Sequence, residues 1–297
     1  MSAENVEMLS RYPWLDKVNT IEDYLDPEYY NKLLKMYSFN GMTDLDIFKS
    51  FLDESQASNV LELGCGSGRA SDIAIRALPN ARFTFSDLSN RMIFHTKERL
   101  QRKVKADFIV EDAVELLIKS KDQYDLVYTL WSFSHSTHQH IHKLGFEKAS
   151  QMLSSSLSKF IRENMVSGGR FFMIHFDSMS EEQRILMQQW KQVLPEFSDT
   201  NRQSPSKRII DYVLTDMDNS NEIILSVSHL RGDPIVYASQ SELLETFVNF
   251  HLETYFNESP LLPKILKSIK KLSDGYRQDD GSYAIIPGCY IYSFEKI

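Results

Sequence analysis

The chain has 297 residues, of which 42% are hydrophobic, and a formal net charge of −8 at pH 7, a composition sufficient for a globular core. The acidic balance, with no basic block beyond residues 267–271, argues against a nucleic-acid partner. A polar stretch at residues 1–30 and only two cysteines argue against a signal peptide, a membrane span and a disulfide framework, which favours a cytoplasmic location.

Residues 1–57 are predicted to form an N-terminal helical cap, with helices near residues 27–36 and 44–52. The aromatic turn between these helices contains Tyr37 and Phe39. Two interpretations stay open. Either the cap closes over a ligand site, in which case Tyr37 and Phe39 face that site, or the cap packs on the edge of a sheet and both aromatic residues belong to the core.

The most informative motif is a glycine-rich turn directly after an apolar strand that begins at Val60. Gly64, Gly66 and Gly68 alternate with other residues, and Glu62 lies two positions before the first of them. Glycines permit a tight strand-to-helix turn and let a ligand approach the bare backbone. The last glycine comes one residue earlier than in the dinucleotide pattern G-x-G-x-x-G, so the turn predicts a different nucleotide-sized ligand.

Two aspartates follow the next two strand-like runs, which cover residues 82–87 and 106–110. Asp87 ends the first run, where a carboxylate has acceptors for both hydroxyls of a ribose. The alternative is that Asp87 caps the helix predicted at residues 88–102, which is a common use of aspartate. Asp112 follows the second run. It could likewise contact the ligand or, as the alternative, be the N-cap of a helix at residues 114–120.

The chain then continues with a strand at residues 124–130, an amphipathic helix at 145–165, a Gly-Gly turn at 166–170 and a strand at 171–175. With the glycine turn, Glu62 and the two aspartates, this order resembles the class I S-adenosylmethionine (SAM)-dependent methyltransferases over residues 60–176. The resemblance implies an α/β fold with a Rossmann-like seven-stranded mixed sheet and a SAM-binding core at residues 58–177. It implies SAM as the cofactor, S-adenosylhomocysteine (SAH) as the product, and an adenine contact for Asp112.

The resemblance also assigns the residues that would hold the cofactor. They are Glu62, Gly64, Cys65, Gly66, Gly68, Asp87, Leu88, Met92, Asp112, Ala113, Thr129 and Leu130.

Residues 178–297 are predicted to add a helical insertion after the fifth strand and to complete the sheet. Helices are expected at 181–193, 207–216, 240–250 and 262–272, and a strand at 221–230, with which residues 235–238 could pair as a hairpin. The aromatic run at 281–294 resembles the antiparallel last strand of the methyltransferase sheet. This run and the helix around Leu243 are similar, more distantly, to histamine N-methyltransferase and its small-molecule methyltransferase relatives.

Candidate catalytic residues lie beyond the carboxyl ends of the strands, where open α/β sheets bind their ligands. Residues 131–142 are predicted as a loop there, and in it Trp131 offers a ring face to a cationic acceptor. His135 and His138 are candidate proton acceptors because histidine titrates near neutral pH. Tyr37 and His175 are expected at the same rim. The spacing of the loop histidines matches no metal geometry, so no metal is predicted, and some of these histidines are capping or surface residues in the plainer interpretation.

The sequence therefore predicts an enzyme that transfers a methyl group from SAM to nitrogen or oxygen of a small-molecule acceptor. Nitrogen is preferred because of the more distant resemblance and the acidic charge. The alternatives are a methyltransferase that acts on a protein or peptide, and a SAM-binding scaffold without catalysis. We expect a monomer or homodimer with no membrane and no nucleic-acid partner.

Overall fold

A computed structural model of the chain describes residues 12, 14, 27–101, 103–192, 197, 203–252 and 261–297. Apart from Tyr12 and Trp14, the first 26 residues of the predicted cap lie outside the described residues. The cap, core and C-terminal divisions at residues 57 and 177 stay predictions.

Strands and helices alternate through most of the described chain. The strands are β1 (Ser38–Phe39), β2 (Met42–Thr43), β3 (Asn59–Leu63), β4 (Arg82–Asp87), β5 (Ala106–Val110), β6 (Tyr124–Leu130), β7 (Met165–Phe176), β8 (Ile223–Arg231), β9 (Ile235–Tyr237), β10 (Tyr283–Ile285) and β11 (Gly288–Lys296). The α-helices are α1 (Pro27–Leu34), α2 (Asp44–Asp53), α3 (Arg69–Ala77), α4 (Asn90–Leu100), α5 (Ala113–Lys119), α6 (Phe133–Leu144), α7 (Phe146–Asn164), α8 (Glu181–Trp190), α9 (Pro205–Asn219), α10 (Gln240–Thr246) and α11 (Leu262–Ser273).

The main sheet has seven strands in the order β5-β4-β3-β6-β7-β11-β8. The first five of these are parallel, and β11 runs antiparallel between β7 and β8, with Ile291 opposite both Ile174 and Ser228. The strand order reverses between β3 and β6, and ligands bind at such a switch point in open α/β sheets. The predicted α/β fold with a seven-stranded mixed sheet is confirmed.

The central strands are buried on both faces because helices cover each side of the sheet. Val60 and Leu126 belong to the apolar cluster on one face, with residues of α1 to α4, whereas Leu61 and Val127 belong to the cluster on the other face, with residues of α5, α6, α7 and α9. This alternation fixes the register of β3 and β6 and therefore the position of the turns at their ends.

The structure corrects the prediction of a loop at residues 131–142, since most of this stretch forms the helix α6. Phe133, Ser136, Thr137, His140 and Ile141 lie on its buried face with helical spacing. The polar members of this face made the segment look like a loop. They are tolerated inside because each one finds a hydrogen-bond partner there.

Four expectations outside α6 also differ from the structure. Residues 166–170 are part of β7 and not a separate turn. The strand β9 pairs with β10 in a small separate sheet, with Val236 opposite Ala284, and not with β8 as a hairpin. The aromatic run at 281–294 is divided by Pro287 into β10 and β11, because proline cannot donate a ladder hydrogen bond. The helix predicted at 240–250 ends at Thr246 and continues as a π-helical segment, Phe247–Leu252.

Candidate functional site

The glycine turn between β3 and α3 is held in a conformation that side chains oppose. Gly64 has φ +76°, and a Cβ there would lie 2.1 Å from Ser132 Oγ. Hydrogen bonds tie the turn to its surroundings: among them, Cys65 N–H donates to the Ser86 carbonyl (2.7 Å), and Thr96 Oγ1 donates to the Gly66 carbonyl (2.8 Å). The backbone of the turn is therefore exposed to a cavity at the carboxyl ends of the strands.

This first cavity is an open cleft whose empty space, including solvent at its mouth, is about 840 Å³. It lies at the carboxyl ends of β3, β4, β5 and β6. Its lining residues are Tyr30, Gly64, Gly66, Asp87, Leu88, Ser89, Met92, Glu111, Asp112, Ala113, Ser132, His135, Ser136 and Gln139.

Asp87 joins the glycine turn to the start of α4. Its Oδ2 accepts from Gly66 N–H (2.8 Å) and its Oδ1 accepts from Ser89 N–H (2.9 Å). The N-cap of α4 is Ser89, so the cap that was the alternative role for Asp87 belongs to its neighbour. Burial raises the pKa of Asp87, although these two N–H groups partly oppose the shift. Each oxygen accepts one bond from the described protein and has a further lone pair for a ligand.

Asp112 also lines the first cavity, and it is the N-cap of α5. Its Oδ1 accepts from Val114 N–H and Glu115 N–H. Burial alone would raise the pKa of Asp112, but hydrogen bonds from His140 and Ser136 outweigh burial and lower it. The capping alternative is therefore what the structure contains, and the adenine contact stays a prediction beside it.

Several residues assigned to the cofactor support the turn from behind and do not line the cavity. Glu62 is buried and accepts hydrogen bonds from Ser71 Oγ and from Tyr128 Oη (2.8 Å), which attach α3 to the sheet. Burial raises the pKa of Glu62 to about 7, against the effect of those two donors. The other assigned residues outside the cavity lining are Cys65, Gly68, Thr129 and Leu130.

A second cavity of about 790 Å³ adjoins the first, and Tyr30 and His135 line both. Its wall is largely aromatic and comes from segments that are far apart in the sequence. Its lining residues are Tyr30, Leu34, Tyr37, Trp131, His135, His138, Phe176, Glu182, Gln183, Leu186, Met187, Trp190, Phe197 and Gly288.

The carboxylate of Glu182 is the acidic group in the wall of the second cavity. Tyr37 Oη donates to its Oε1 (2.6 Å), and Gln183 Nε2 donates to its Oε2 (3.2 Å). Burial is the main cause that raises the pKa of Tyr37 well above its usual value, and the Glu182 charge adds to it. Tyr37 is therefore a neutral donor that fixes a carboxylate at this wall.

Trp131 contributes a ring to the same wall from a strained backbone position. Its φ is +68°, which is unfavourable for a bulky residue, and its N–H donates to the Ile174 carbonyl (2.9 Å). Its indole Nε1 donates to Oδ2 of the buried Asp44 (2.9 Å), and Asp44 is paired with Arg69, the residue after the glycine turn. The ring is thus held by the N-terminal segment and by the end of β6 together.

The predicted catalytic histidines have different positions. His135 lies where the two cavities meet, and His138 lines only the second cavity, with its ring 4.8 Å from that of Phe197. Burial lowers the pKa of His138 well below its usual value, and its Nε2 has no hydrogen-bond partner among the described residues. His138 is therefore a neutral imidazole with an unsatisfied nitrogen at the cavity wall.

His175 does not belong to this wall, which corrects its assignment as a catalytic candidate. Its ring bonds to the Phe176 carbonyl (2.8 Å) and to Ser206 Oγ (2.9 Å) on the face of the sheet covered by α9. Burial lowers its pKa to about 4. The reason for the error is the alternation along β7, where neighbouring side chains point to opposite faces and Phe176 reaches the cavity instead.

Some wall residues were missed because no local pattern marks them. Glu182, Met187 and Trp190 come from α8, whose placement depends on the tertiary fold. Tyr30 carried a weak signal, as an aromatic residue in the helix just before the predicted aromatic turn.

Comparisons with known proteins agree with this geometry. A family model described as a methyltransferase domain matches residues 60–155. The chain is 36% identical over 81 residues to malonyl-[acyl-carrier protein] O-methyltransferase 2 of Ilyobacter polytropus, a match that covers 27% of this chain and 30% of the relative. A second such enzyme of that organism is 36% identical over 75 residues, 25% of this chain and 27% of the relative. The chain thus matches less than a third of the length of these curated relatives.

Among solved structures, the YcgJ protein from Bacillus subtilis has a similar fold, with a TM-score of 0.50 and 12% identity over 85% of this chain and 98% of that one. No helix of the described residues is long and apolar enough to cross a membrane. The family match and the strand order both agree with the motif that begins at Val60. Residues 60–155 therefore match a methyltransferase domain, in agreement with the resemblance to the class I SAM-dependent methyltransferases that the glycine turn and Asp87 carry, and SAM is the cofactor that this resemblance implies.

Proposed function

We propose that the protein transfers the methyl group of SAM to a small-molecule acceptor, at nitrogen in preference to oxygen. The observation that carries this proposal is the junction of two cavities at Tyr30 and His135. One cavity has the glycine turn and Asp87 in its wall, and the other has an aromatic wall with a carboxylate. This arrangement supports a cofactor and an acceptor that meet end to end.

The residues of the first cavity fit an adenosyl ligand. Gly66 presents bare backbone, and the atom nearest to a Cβ built there is 3.7 Å away, on Tyr30. Asp87 has acceptor capacity for the ribose hydroxyls, and Asp112 supports recognition of the adenine amino group. Leu88, Met92 and the other apolar lining residues support the flat base by van der Waals contact.

When bound, SAM would supply its sulfonium methyl group to the acceptor by in-line displacement, with SAH as the leaving group. For the protein, the main task is then alignment, which can supply roughly 7–11 kcal/mol of the barrier. His135, at the junction, is placed to accept the proton that the acceptor loses. His138 is neutral because burial lowers its pKa, and its unsatisfied Nε2 is placed to hydrogen-bond the acceptor.

The chemistry of the second cavity supports an amine as the acceptor. Neither lysine nor arginine occurs among its described lining residues, and Glu182 places a carboxylate there. Aromatic faces such as those of Trp131 and Tyr37 attract cations, and a nearby carboxylate adds to this attraction. The Ilyobacter relatives are named for malonyl groups on acyl-carrier protein, but an anionic malonyl group would be repelled by Glu182.

The other expectations remain part of this proposal: a monomer or homodimer, with neither membrane nor nucleic acid as partner, in the cytoplasm. The α1–α2 segment would act as a lid over the cofactor, since Tyr30 and Tyr37 line the cavities.

Calorimetric titration with SAM and SAH is the first test, followed by transfer of labelled methyl from SAM to matched panels of amines and phenols. We expect micromolar or tighter binding and faster transfer to amines. Glu182→Gln should raise the amine KM about tenfold, with unchanged SAH affinity, because the wall loses its charge. The matched control is Glu181→Gln, since Glu181 is adjacent but does not line the cavity. Absence of SAH binding to folded protein, or transfer only to protein substrates, would contradict the proposal.

A further inference from the structure

The helix α6 reaches the first cavity through two side chains that converge on Asp112. Ser136 and His140 are one turn apart on the same face of α6. Ser136 Oγ donates to Asp112 Oδ2 (2.7 Å), and His140 Nε2 is 2.9 Å from Asp112 Oδ1. His140 and Asp112 are both buried, so this pair is shielded from solvent. None of the motifs in the sequence assigned a role to His140.

The two oxygens of Asp112 are used unequally. Oδ1 accepts from Val114 N–H (2.9 Å), Glu115 N–H (3.1 Å) and His140 Nε2, which fills its capacity. Oδ2 accepts only from Ser136 among the described residues. The Ser136 hydroxyl is itself oriented, because its oxygen also accepts from Val114 N–H (3.3 Å). These hydrogen bonds prevent the carboxylate from rotating. One lone pair of Oδ2 therefore remains to accept a hydrogen bond from a ligand.

We propose that His140 is a positioning residue that makes the first cavity selective for an adenine base. By holding Oδ1, His140 fixes the Asp112 carboxylate so that Oδ2 accepts a hydrogen bond from the exocyclic amino group of adenine. This inference rests on the proposed function, since it assumes that the adenosyl part of SAM occupies the first cavity. A hypoxanthine base carries an oxygen in place of the amino group, and a fixed carboxylate repels that oxygen.

The N-cap hydrogen bonds alone would not fix the orientation of the Asp112 carboxylate, and the position of His140 explains why. The two backbone N–H groups of α5 approach Oδ1 from the helix side and would permit the carboxylate to pivot about that oxygen. The imidazole approaches from α6, so together with Ser136 it connects two helices through one carboxylate. A hydrogen bond to a charged group of this kind is worth enough to alter ligand affinity about tenfold or more.

The test compares the affinities for SAH and for S-inosylhomocysteine by calorimetry, in full-length protein. Wild-type protein should prefer SAH by at least about 100-fold. In His140→Ala we expect this preference to fall about tenfold, mainly through weaker SAH binding. His140→Gln places an amide N–H near the position of Nε2 and should retain the preference. His142→Ala, an exposed histidine on the same helix, is the matched control and should behave as wild type.

The outcomes separate the inference from the proposed function. Unchanged preference in folded His140→Ala would overturn the inference alone, and so would an equal loss of affinity for both ligands, which a merely structural role would produce. If His140→Ala does not fold, His140→Asn serves instead, because its shorter amide does not reach Asp112. Wild-type protein that binds neither ligand would overturn the proposed function, and the inference with it.

Discussion

The two adjoining cavities are built in different ways. The first takes its carboxylates from the ends of consecutive parallel strands: backbone N–H groups hold Asp87, and backbone N–H groups with side chains of α6 hold Asp112. The second combines Tyr37, Trp131, Glu182 and Phe197, which come from separate regions of the chain and line one cavity only in the folded protein. A short-range geometry thus builds one site, and tertiary packing builds the other.

This difference indicates which residues determine cofactor binding and which determine the choice of acceptor. A carboxylate held by backbone N–H groups, such as Asp87, keeps its position when distant side chains change. An aromatic wall depends on how helices pack, so substitutions there should change the acceptor without changing the cofactor. Tyr30 and His135 are the positions where the two sites meet. The predictions below test this separation, beginning with the largest effect.

Gly64→Ala should disrupt the first cavity most strongly. The new Cβ would overlap Ser132 Oγ at 2.1 Å, and Ser132 begins the connection to α6. We expect a loss of about 3 kcal/mol in unfolding free energy, from the left-handed backbone and from overpacking, together with loss of SAH binding. Urea unfolding and calorimetry would measure both effects.

The matched control for that variant is Gly41→Ala. Gly41 has nearly the same φ, +75°, but no atom within 4 Å of a new Cβ. It should lose only about 1–2 kcal/mol and bind SAH normally. Equal effects of the two substitutions would contradict the contact with Ser132.

Substitution of His175 should change how the unfolding free energy depends on pH. It should not change ligand binding in either cavity. The pKa of His175 is about 4 in the folded protein, because of burial, and its usual value is 6.5. The unfolded chain therefore binds the extra proton first, so this contribution is present above about pH 6.5 and is lost as pH falls towards 4. A shift of this size corresponds to ~3 kcal/mol.

The measurement is the unfolding free energy of wild type and His175→Gln at about pH 7 and about pH 4. The loss between these two values should be smaller in the variant by ~3 kcal/mol, whereas SAH affinity at pH 7 stays unchanged. An equal pH dependence in both proteins would show that His175 is not buried as a neutral group.

Asp87→Ala should weaken SAM binding by about 1.5–3 kcal/mol, because the ribose loses hydrogen bonds to a charged group. Asp87→Asn is the matched control, since its amide oxygen still accepts from Gly66 N–H. Calorimetry on folded protein gives the affinities. Unchanged affinity in the alanine variant would remove the ribose assignment, even if the fold is intact.

Trp131→Phe should have the smallest effect and act on the second cavity. It keeps an aromatic ring but loses the hydrogen bond to Asp44, worth ~1 kcal/mol, so the KM of an amine acceptor should rise about fivefold. Trp14→Phe is the control, because its Nε1 has no partner among the described residues. A parallel fall in SAH affinity would show that the two cavities are not separable at Trp131.

The sequence predicted the first cavity better than the second for a physical reason. Gly64, Gly66 and Asp87 obey local spacing rules, which a strand and a turn impose on the chain, and they lie together in the structure. The helix α6 was predicted as a loop because its buried face is polar, and the partners that permit this, such as Asp112, are distant in the sequence.

The C-terminal part shows the same limit. The antiparallel position of β11 was implied by the resemblance of the aromatic run at 281–294 to the last strand of the methyltransferase sheet, and the structure agrees. The pairing of β9 with β10 did not follow, because adjacency in the chain favours a hairpin with β8, and no local rule selects a strand that lies after α11.

The most direct test of this account is a crystal structure of the protein with SAH. The account predicts SAH in the first cavity, with its ribose hydroxyls on Asp87, its adenine amino group at Asp112 and its sulfur directed towards Tyr30 and His135. SAH bound elsewhere, or with its sulfur directed away from the second cavity, would contradict the proposal that methyl transfer takes place where the two cavities meet.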